Sequence, residues 1–308
     1  MLTRPFADYD LSTLMLGTVQ FGMPYGIANV TGQPAYKDVI EILAAAIEGG
    51  VNCFDTAAAY GNSEDVLGRA LRELGVLERV MVVTKVRALT PEELADPRRA
   101  THAIEQSVAD SRCYLGIDTL PVVLFHREAD AKYLPVLEDL KARGWLRHAG
   151  VSCDNTPGPA TTFAEQPNVA ALQIPANAFD HRHRDDGAFA AAESHGVGVF
   201  VRSVFLQGLM VMPEEAIPEA LSDVVPIRRK LAVVAAEGGI TLPELAIRYM
   251  LALKGVTCVL TGVETVEQVR ANCAIFAHGP LDAESVRQVD AAVPPLPERL
   301  LTPRMWEE

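Results

Sequence analysis

The chain has 308 residues, 49% hydrophobic and 22% charged, which is too apolar for disorder and leaves ample material for a large core. Its 27 basic and 40 acidic residues give a formal charge of −13. Such a field repels phosphate backbones and anionic lipid, so neither nucleic acid nor a membrane surface is expected as a main partner.

In chain order, short β-branched runs alternate with longer stretches of helical period. Leu14–Gly17 is the first strand candidate. Helix Ala35–Glu48 follows, with Val39, Ile40, Leu43, Ala44 and Ile47 on one face. Strand Cys53–Thr56 leads to helix Ser63–Leu74, where Val66, Leu67, Ala70, Leu71 and Leu74 share a face, Ser63 is the expected N-cap, and Glu64 and Asp65 occupy the first turn. Strand Val80–Lys85 precedes helix Ala100–Leu115, and strand Thr119–Phe125 precedes helix Leu134–Arg143. Strands His148–Ser152 and Ala170–Ile174 precede helix Gly187–Ser194. Strand Gly198–Arg202 precedes Ile227–Glu237 and Leu242–Leu253; strand Thr257–Thr261 precedes Thr265–Phe276; Asp282–Ala292 is an extra C-terminal helix.

Alternation of this kind requires a parallel sheet, because each crossover returns the chain to the same end. Eight such units predict a closed (β/α)₈ TIM barrel forming a single domain over residues 1–308. The alternative is an open doubly wound sheet, which would announce a nucleotide site as GxGxxG after its first strand; none is present there. The nearest match, Gly196-Val197-Gly198-Val199-Phe200-Val201, is read as packing within a strand. Phe205–Val225, rich in Pro, Met and acid, is the longest irregular stretch and is expected to be a long loop after strand seven.

Cys53, Cys113, Cys153, Cys258 and Cys273 form no CxxC and no metal-ligand spacing, so they are expected to be small buried residues in a reducing cytoplasm, and no metal is expected. The start MLTRPFADYD lacks the apolar core of a signal peptide, and no run of ~18 apolar residues is present, so a cytoplasmic location is expected. His181 and His183, in Asp180-His181-Arg182-His183-Arg184-Asp185, are read as a solvated or substrate loop rather than metal ligands.

Barrel enzymes do their chemistry at the C-terminal ends of the strands. Three consecutive strands here end in Asp55, Lys85 and His126, and Tyr60 hangs from the first of those loops. A free tyrosine, with a pKa near ~10, is a poor acid at neutral pH. A lysine ammonium ~4 Å away at an effective dielectric of ~20 would favour its phenolate by up to about 4 kcal/mol. Asp55 would hold Lys85 charged, and His126 would offer an N–H to a substrate oxygen. The set describes an acid–base site for a carbonyl/alcohol couple, and because no side chain donates hydride, a cofactor must.

The segment Phe54-Asp55-Thr56-Ala57-Ala58-Ala59-Tyr60-Gly61-Asn62-Ser63-Glu64 resembles the catalytic motif of the aldo/keto reductase superfamily, whose tetrad is Asp, Tyr, Lys and His; here these would be Asp55, Tyr60, Lys85 and His126. The resemblance runs from Leu16-Gly17-Thr18 to Asn272 and implies a nicotinamide dinucleotide over the strand ends, with Gly17, Thr18 and Asp55 on its path. Ser152 and Gln173 would hold its carboxamide, with Cys153 where the family has Asn. Ser203, Val204, Leu206 and Gly208 would run along the pyrophosphate, and Arg202 would stack where the family often has an aromatic. Gly262, Thr265, Gln268 and Asn272 would meet the adenosine end. NADP is the family default and NAD the alternative. The Lys and Arg that clamp the 2′-phosphate in NADPH-selective members are Gly262 and Gln268 here, beside Glu264, with Arg270 on another face; weaker discrimination against NADH is therefore expected.

The function expected is reduction of an aldehyde or ketone, with oxidation of a sugar or alcohol as its reverse. A redox-sensing subunit with little turnover and a metal-dependent barrel hydrolase are the readings from other classes. Gln20, Phe21, Tyr25, Arg127 and Phe205–Val225 are expected to wall the substrate pocket. The stretch Gly17–Ala28 resembles bacterial members among carbohydrate and surface-polysaccharide enzymes, favouring a small-molecule sugar or polar carbonyl. Oligomeric state is not set by the sequence.

Overall fold

A computed structural model describes residues 1–306 apart from 27, 28, 30 and 31; the last two residues of the Gly17–Ala28 stretch therefore lie outside it. The chain opens with an antiparallel hairpin, β1 (Thr3–Phe6) and β2 (Tyr9–Ser12), that the apolar pattern did not foretell. Eight parallel strands follow: β3 (Leu14–Gly17), β4 (Cys53–Asp55), β5 (Met81–Val86), β6 (Leu120–Phe125), β7 (Leu146–Ser152), β8 (Ala171–Pro175), β9 (Gly198–Arg202) and β10 (Val256–Gly262). They close in sequence order, β10 pairing with β3, so the (β/α)₈ barrel expected from the alternation forms, with boundaries shifted by one or two residues.

Side chains alternate along each strand, and this parity explains both the core and the site. Cys53, Met81, Val83, Val122, Leu124, Ala171 and Phe200 fill the barrel interior. Two residues further along the same strand faces stand Asp55, Lys85, His126, Gln173 and Arg202, at the C-terminal mouth. The opposite faces, including Phe54, Val82, Val123, Leu172 and Val199, pack under the helices. The hairpin closes the other end. Phe6 packs edge-on against Phe200 at 5.3 Å, and a β-carbon on Gly198 would lie 2.4 Å from the Phe6 ring. Gly198 is thus a packing residue, as read, whereas Gly196 lies before the strand and ends the helix Ala188–His195 in a left-handed conformation (φ +69°).

The surrounding helices are set by local signals. Helix Pro97–Leu115 starts at Asp96, whose carboxylate accepts from the Arg98 N–H, with Pro97 in its first turn, and ends at Gly116 with φ +67°. In helix Tyr36–Glu48, Ala44 is exposed and Ile42, Ala45 and Ala46 are buried, so its buried face is rotated from the one expected. A short helix, Pro159–Ala164, fills the β7–β8 crossover, where none was expected. Phe205–Val225 carries three 3₁₀ turns pinned by buried Leu209, Met210 and Leu221 and by Arg228, which donates to Met212 O at 2.6 Å. The extra C-terminal helix is Ala283–Ala292, capped by Asp282. Cys53, Cys153 and Cys258 are buried, Cys273 is half-buried and Cys113 is exposed. No helix among the described residues is long and apolar enough to cross a membrane.

Candidate active site

Lys85 lies wholly within the barrel mouth, and its Nζ donates to Asp55 Oδ1 at 2.7 Å, Asp55 Oδ2 at 2.8 Å, Thr56 O at 2.9 Å and Tyr60 Oη at 3.3 Å. The His126 ring stands edge-on to Tyr60, centroids 5.5 Å apart at 88°. The four side chains singled out in the sequence therefore meet at one mouth. Gln173 joins them, its Nε2 donating to Asp55 Oδ1 at 2.7 Å. That amide contact with the carboxylate had no signal in the sequence, because it depends on barrel closure.

Burial decides the electrostatics. It would lower the Lys85 pKa, but Asp55 and, after it, Tyr60 together outweigh burial, so Lys85 is raised above its ordinary value and stays charged. Burial raises the Tyr60 pKa, and the pull of Lys85 toward phenolate only partly offsets this. The expectation of a net acidified phenol is thereby corrected: Tyr60 is a neutral phenol that holds its proton. His126 is pushed down to about 3, by burial first and then by the charges of Lys85 and Arg202, so its ring is neutral.

The Tyr60 loop is held from beneath. A β-carbon on Gly22, in the helical turn Val19–Gly22, would lie 1.8 Å from Tyr60 O and 2.5 Å from Ser63 N. Gly61 has φ +57°, and a β-carbon there would lie 2.3 Å from Gly22 O, so two glycines allow this backbone contact. Ser63 is not the N-cap expected; that position is Asn62, which makes no side-chain cap bond. The Ser63 hydroxyl instead donates to Thr18 O at 2.7 Å and accepts from Thr56 Oγ1 at 3.0 Å. Thr18 in turn donates to Asp55 O from both its N–H and its hydroxyl, each at 2.9 Å. These buried hydroxyls tie the ends of β3 and β4 to the next helix and hold the Thr56 carbonyl that receives Lys85. Below them Glu64 is buried and accepts from Thr84 Oγ1 at 2.5 Å.

The residues expected along a dinucleotide line the same end of the barrel. Gly17 pairs in register with Asp55 and with Gly262. Ser152 and Gln173 are buried on adjacent strands, paired in register. Arg202 donates to Cys153 O at 2.9 Å, so its guanidinium is anchored to the residue standing in place of the family's Asn. Ser203, Leu206 and Gln207 all have positive φ (65°, 47° and 52°), concentrating backbone strain in the segment carrying Ser203, Val204, Leu206 and Gly208. Thr265 and Gln268 form a capping box at the start of helix Val266–Ala277, and Asn272 Nδ2 donates to Thr261 Oγ1 at 3.0 Å. Strand-end donors and a strained turn suit a dinucleotide laid across this face.

Some expectations fail. Phe21 is fully buried in the core rather than on a pocket wall, whereas Tyr25 and Arg127 are exposed. His183 is buried, its Nε2 3.0 Å from Asp154 O, and His181 is half-buried against Tyr249, so this segment is no solvated loop. Arg184 and Tyr249 both bond Asp290, fastening the C-terminal helix.

The family model for the aldo/keto reductase family matches residues 13–294. The chain belongs to that family, and it is an oxidoreductase of the nicotinamide-dependent kind. It is 25% identical over 314 residues to the NADH-specific methylglyoxal reductase of Escherichia coli, covering 90% of this chain and 94% of that one. It is 24% identical over 306 residues to the uncharacterized oxidoreductase YqkF of Bacillus subtilis, covering 92% and 94%. The fold matches that of an aldo-keto reductase from Bacillus halodurans with a TM-score of 0.76 at 24% identity, over 97% of this chain and 99% of that one.

Proposed function

We propose that the protein reduces a small polar aldehyde or ketone, a sugar among the candidates, to its alcohol with NADPH or NADH. Tyr60 is the proton donor, Lys85 and Asp55 set its environment, and His126 orients the carbonyl. The observation that carries this reading is the 3.3 Å approach of a doubly anchored, charged Lys85 Nζ to the hydroxyl of a neutral Tyr60. A bound nicotinamide would supply the hydride. Tyr60 gives its proton to the carbonyl oxygen, and the phenolate left behind develops beside the ammonium. Two unit charges 3.3 Å apart attract by about 5 kcal/mol at an effective dielectric of 20. Lys85 thus stabilises the state in which the proton has left, which is where assistance raises the rate. The neutral ring of His126 donates an N–H to the same oxygen. Ser152 and Gln173 would hold the carboxamide of a bound nicotinamide, and the Ser203–Gly208 turn would meet its pyrophosphate. The reverse oxidation uses the same groups. The E. coli relative, which acts on a small carbonyl, supports this substrate class.

Steady-state turnover over a panel of aldehydes, ketones and aldoses with both cofactors tests the proposal. Tyr60→Phe should lose at least about 10²-fold in kcat while still binding dinucleotide. A Tyr60→Phe enzyme with undiminished turnover would sink the mechanism, and a wild-type protein that binds dinucleotide without turnover would favour a redox sensor.

A further inference from the structure

Where the loop after β10 enters helix Val266–Ala277, the backbone N–H groups of Glu264 and Thr265 both donate to Gln268 Oε1, at 2.6 and 3.3 Å. The chain's own carboxamide thus takes two of the donors with which a helix start would hold an anion. The Glu264 carboxylate is bonded at 3.3 Å by Gln20 Nε2. Gln20 is only 7% exposed, and its Oε1 has no hydrogen-bond partner. It is wedged against Gly262, where a β-carbon would lie 2.5 Å from Nε2 and 2.7 Å from Oε1, so a lysine cannot occupy 262 while Gln20 keeps its place. Beside them runs a groove of about 680 Å³ between this helix start and helix Tyr36–Glu48. Its charged lining is Asp38, Glu41, Glu48, Glu264 and Glu267 against the guanidinium of Arg270, whose charge acts on Glu267. Arg270 therefore faces this groove, contrary to the face expected for it.

We infer that Gln20, Glu264 and Gln268 make this chain select NADH over NADPH. The inference rests on the reductase reading and on the placement of phosphates at the last strand ends and the following helix start that is general for such barrels. The two cofactors differ by one phosphate on the adenosine ribose. A phosphate dianion needs donors and cations; a hydroxyl needs an acceptor. Here the N–H groups of Glu264, Thr265 and Gln268 are already bonded by the chain's own side chains and the groove is acidic, whereas the Glu264 carboxylate and the orphaned Gln20 Oε1 are acceptors. Discrimination thus comes from repelling the phosphate as well as from binding the hydroxyl.

Calorimetric titration of the full chain with NADH and NADPH, and displacement of NADH by AMP and by adenosine 2′,5′-bisphosphate, reads this without turnover. NADH should bind at least tenfold tighter than NADPH, and AMP should displace it better than the bisphosphate. Glu264→Arg combined with Gln268→Arg should tighten NADPH at least tenfold, and the conservative Glu264→Gln should narrow the preference several-fold. Equal binding of the two cofactors, or tighter NADPH, by the wild-type protein overturns the inference and leaves the reductase reading standing. Failure to bind either dinucleotide overturns both.

Discussion

Lys85 donates to both carboxylate oxygens of Asp55, at 2.7 and 2.8 Å, in a place where neither side chain meets appreciable solvent. Such a pair has lost its hydration, so each charge depends on the other. Lys85→Met should therefore lose about 3–5 kcal/mol of stability, because a buried carboxylate is left with only the Gln173 amide and no cation. It should also lose most of its turnover. Asp55→Asn added to Lys85→Met should recover stability but not activity. Urea unfolding and kcat measured on the same samples separate the two effects; a Lys85→Met protein as stable as wild type would contradict the account.

The neutral His126 makes a signed prediction about acid. Its folded pKa is about 3, against ~6.5 for a free histidine, so between those values the unfolded chain binds the extra proton. The stability carried by neutral His126 is fully present above pH ~6.5 and is lost as the pH falls toward 3. Its ring is partly exposed, so the loss at pH 4.5 is set at about 2 kcal/mol rather than the full value. The fall in unfolding free energy from pH 7 to 4.5 should be smaller by that amount in His126→Gln. An identical pH dependence in both proteins would show that His126 is not held neutral by the fold.

Gly22 is a steric test of the Tyr60 loop. An alanine there would meet two backbone atoms, Tyr60 O and Ser63 N, neither of which can rotate away. The loop must move, and misplacement by about 1 Å is enough to cost ~10²-fold in rate. Gly22→Ala should lower kcat at least tenfold while circular dichroism still shows a folded barrel; a wild-type kcat would mean that the loop tolerates displacement.

Phe6 makes the opposite prediction at the other end of the barrel. Removing its ring leaves a cavity against Phe200 and Gly198, so Phe6→Ala should lose about 3–5 kcal/mol. Its kcat should stay within about twofold of wild type, since the site lies at the opposite strand ends. A large loss of kcat at full stability would place the hairpin in the chemistry.

The strands were readable because each is a short apolar run with a charged or polar residue at its end, and because helical period separates them. Asp55, Lys85 and His126 could be found for the same reason: side chains two apart share a face, so each continues an inward row begun by Cys53, by Met81 and Val83, and by Val122 and Leu124. The hairpin was missed because its four-residue strands bury only Phe6 and Leu11 among their apolar residues, too few to make a pattern. Ser63 was misplaced as a cap because a serine ahead of a helix carries that signal whether its hydroxyl turns to the helix or, as here, to Thr18 and Thr56.

Local order, parity and residue chemistry are properties of neighbours along the chain, and from them follow the barrel and the family that its motif resembles. Solvent exclusion and contacts between distant segments are not. Whether Tyr60 keeps its proton depends on how much water the closed mouth removes, and the packing of Gln20 on Gly262 arises only when the first barrel strand meets the last. Those long-range terms set the ionisation of the site and the character of the groove beside Glu264.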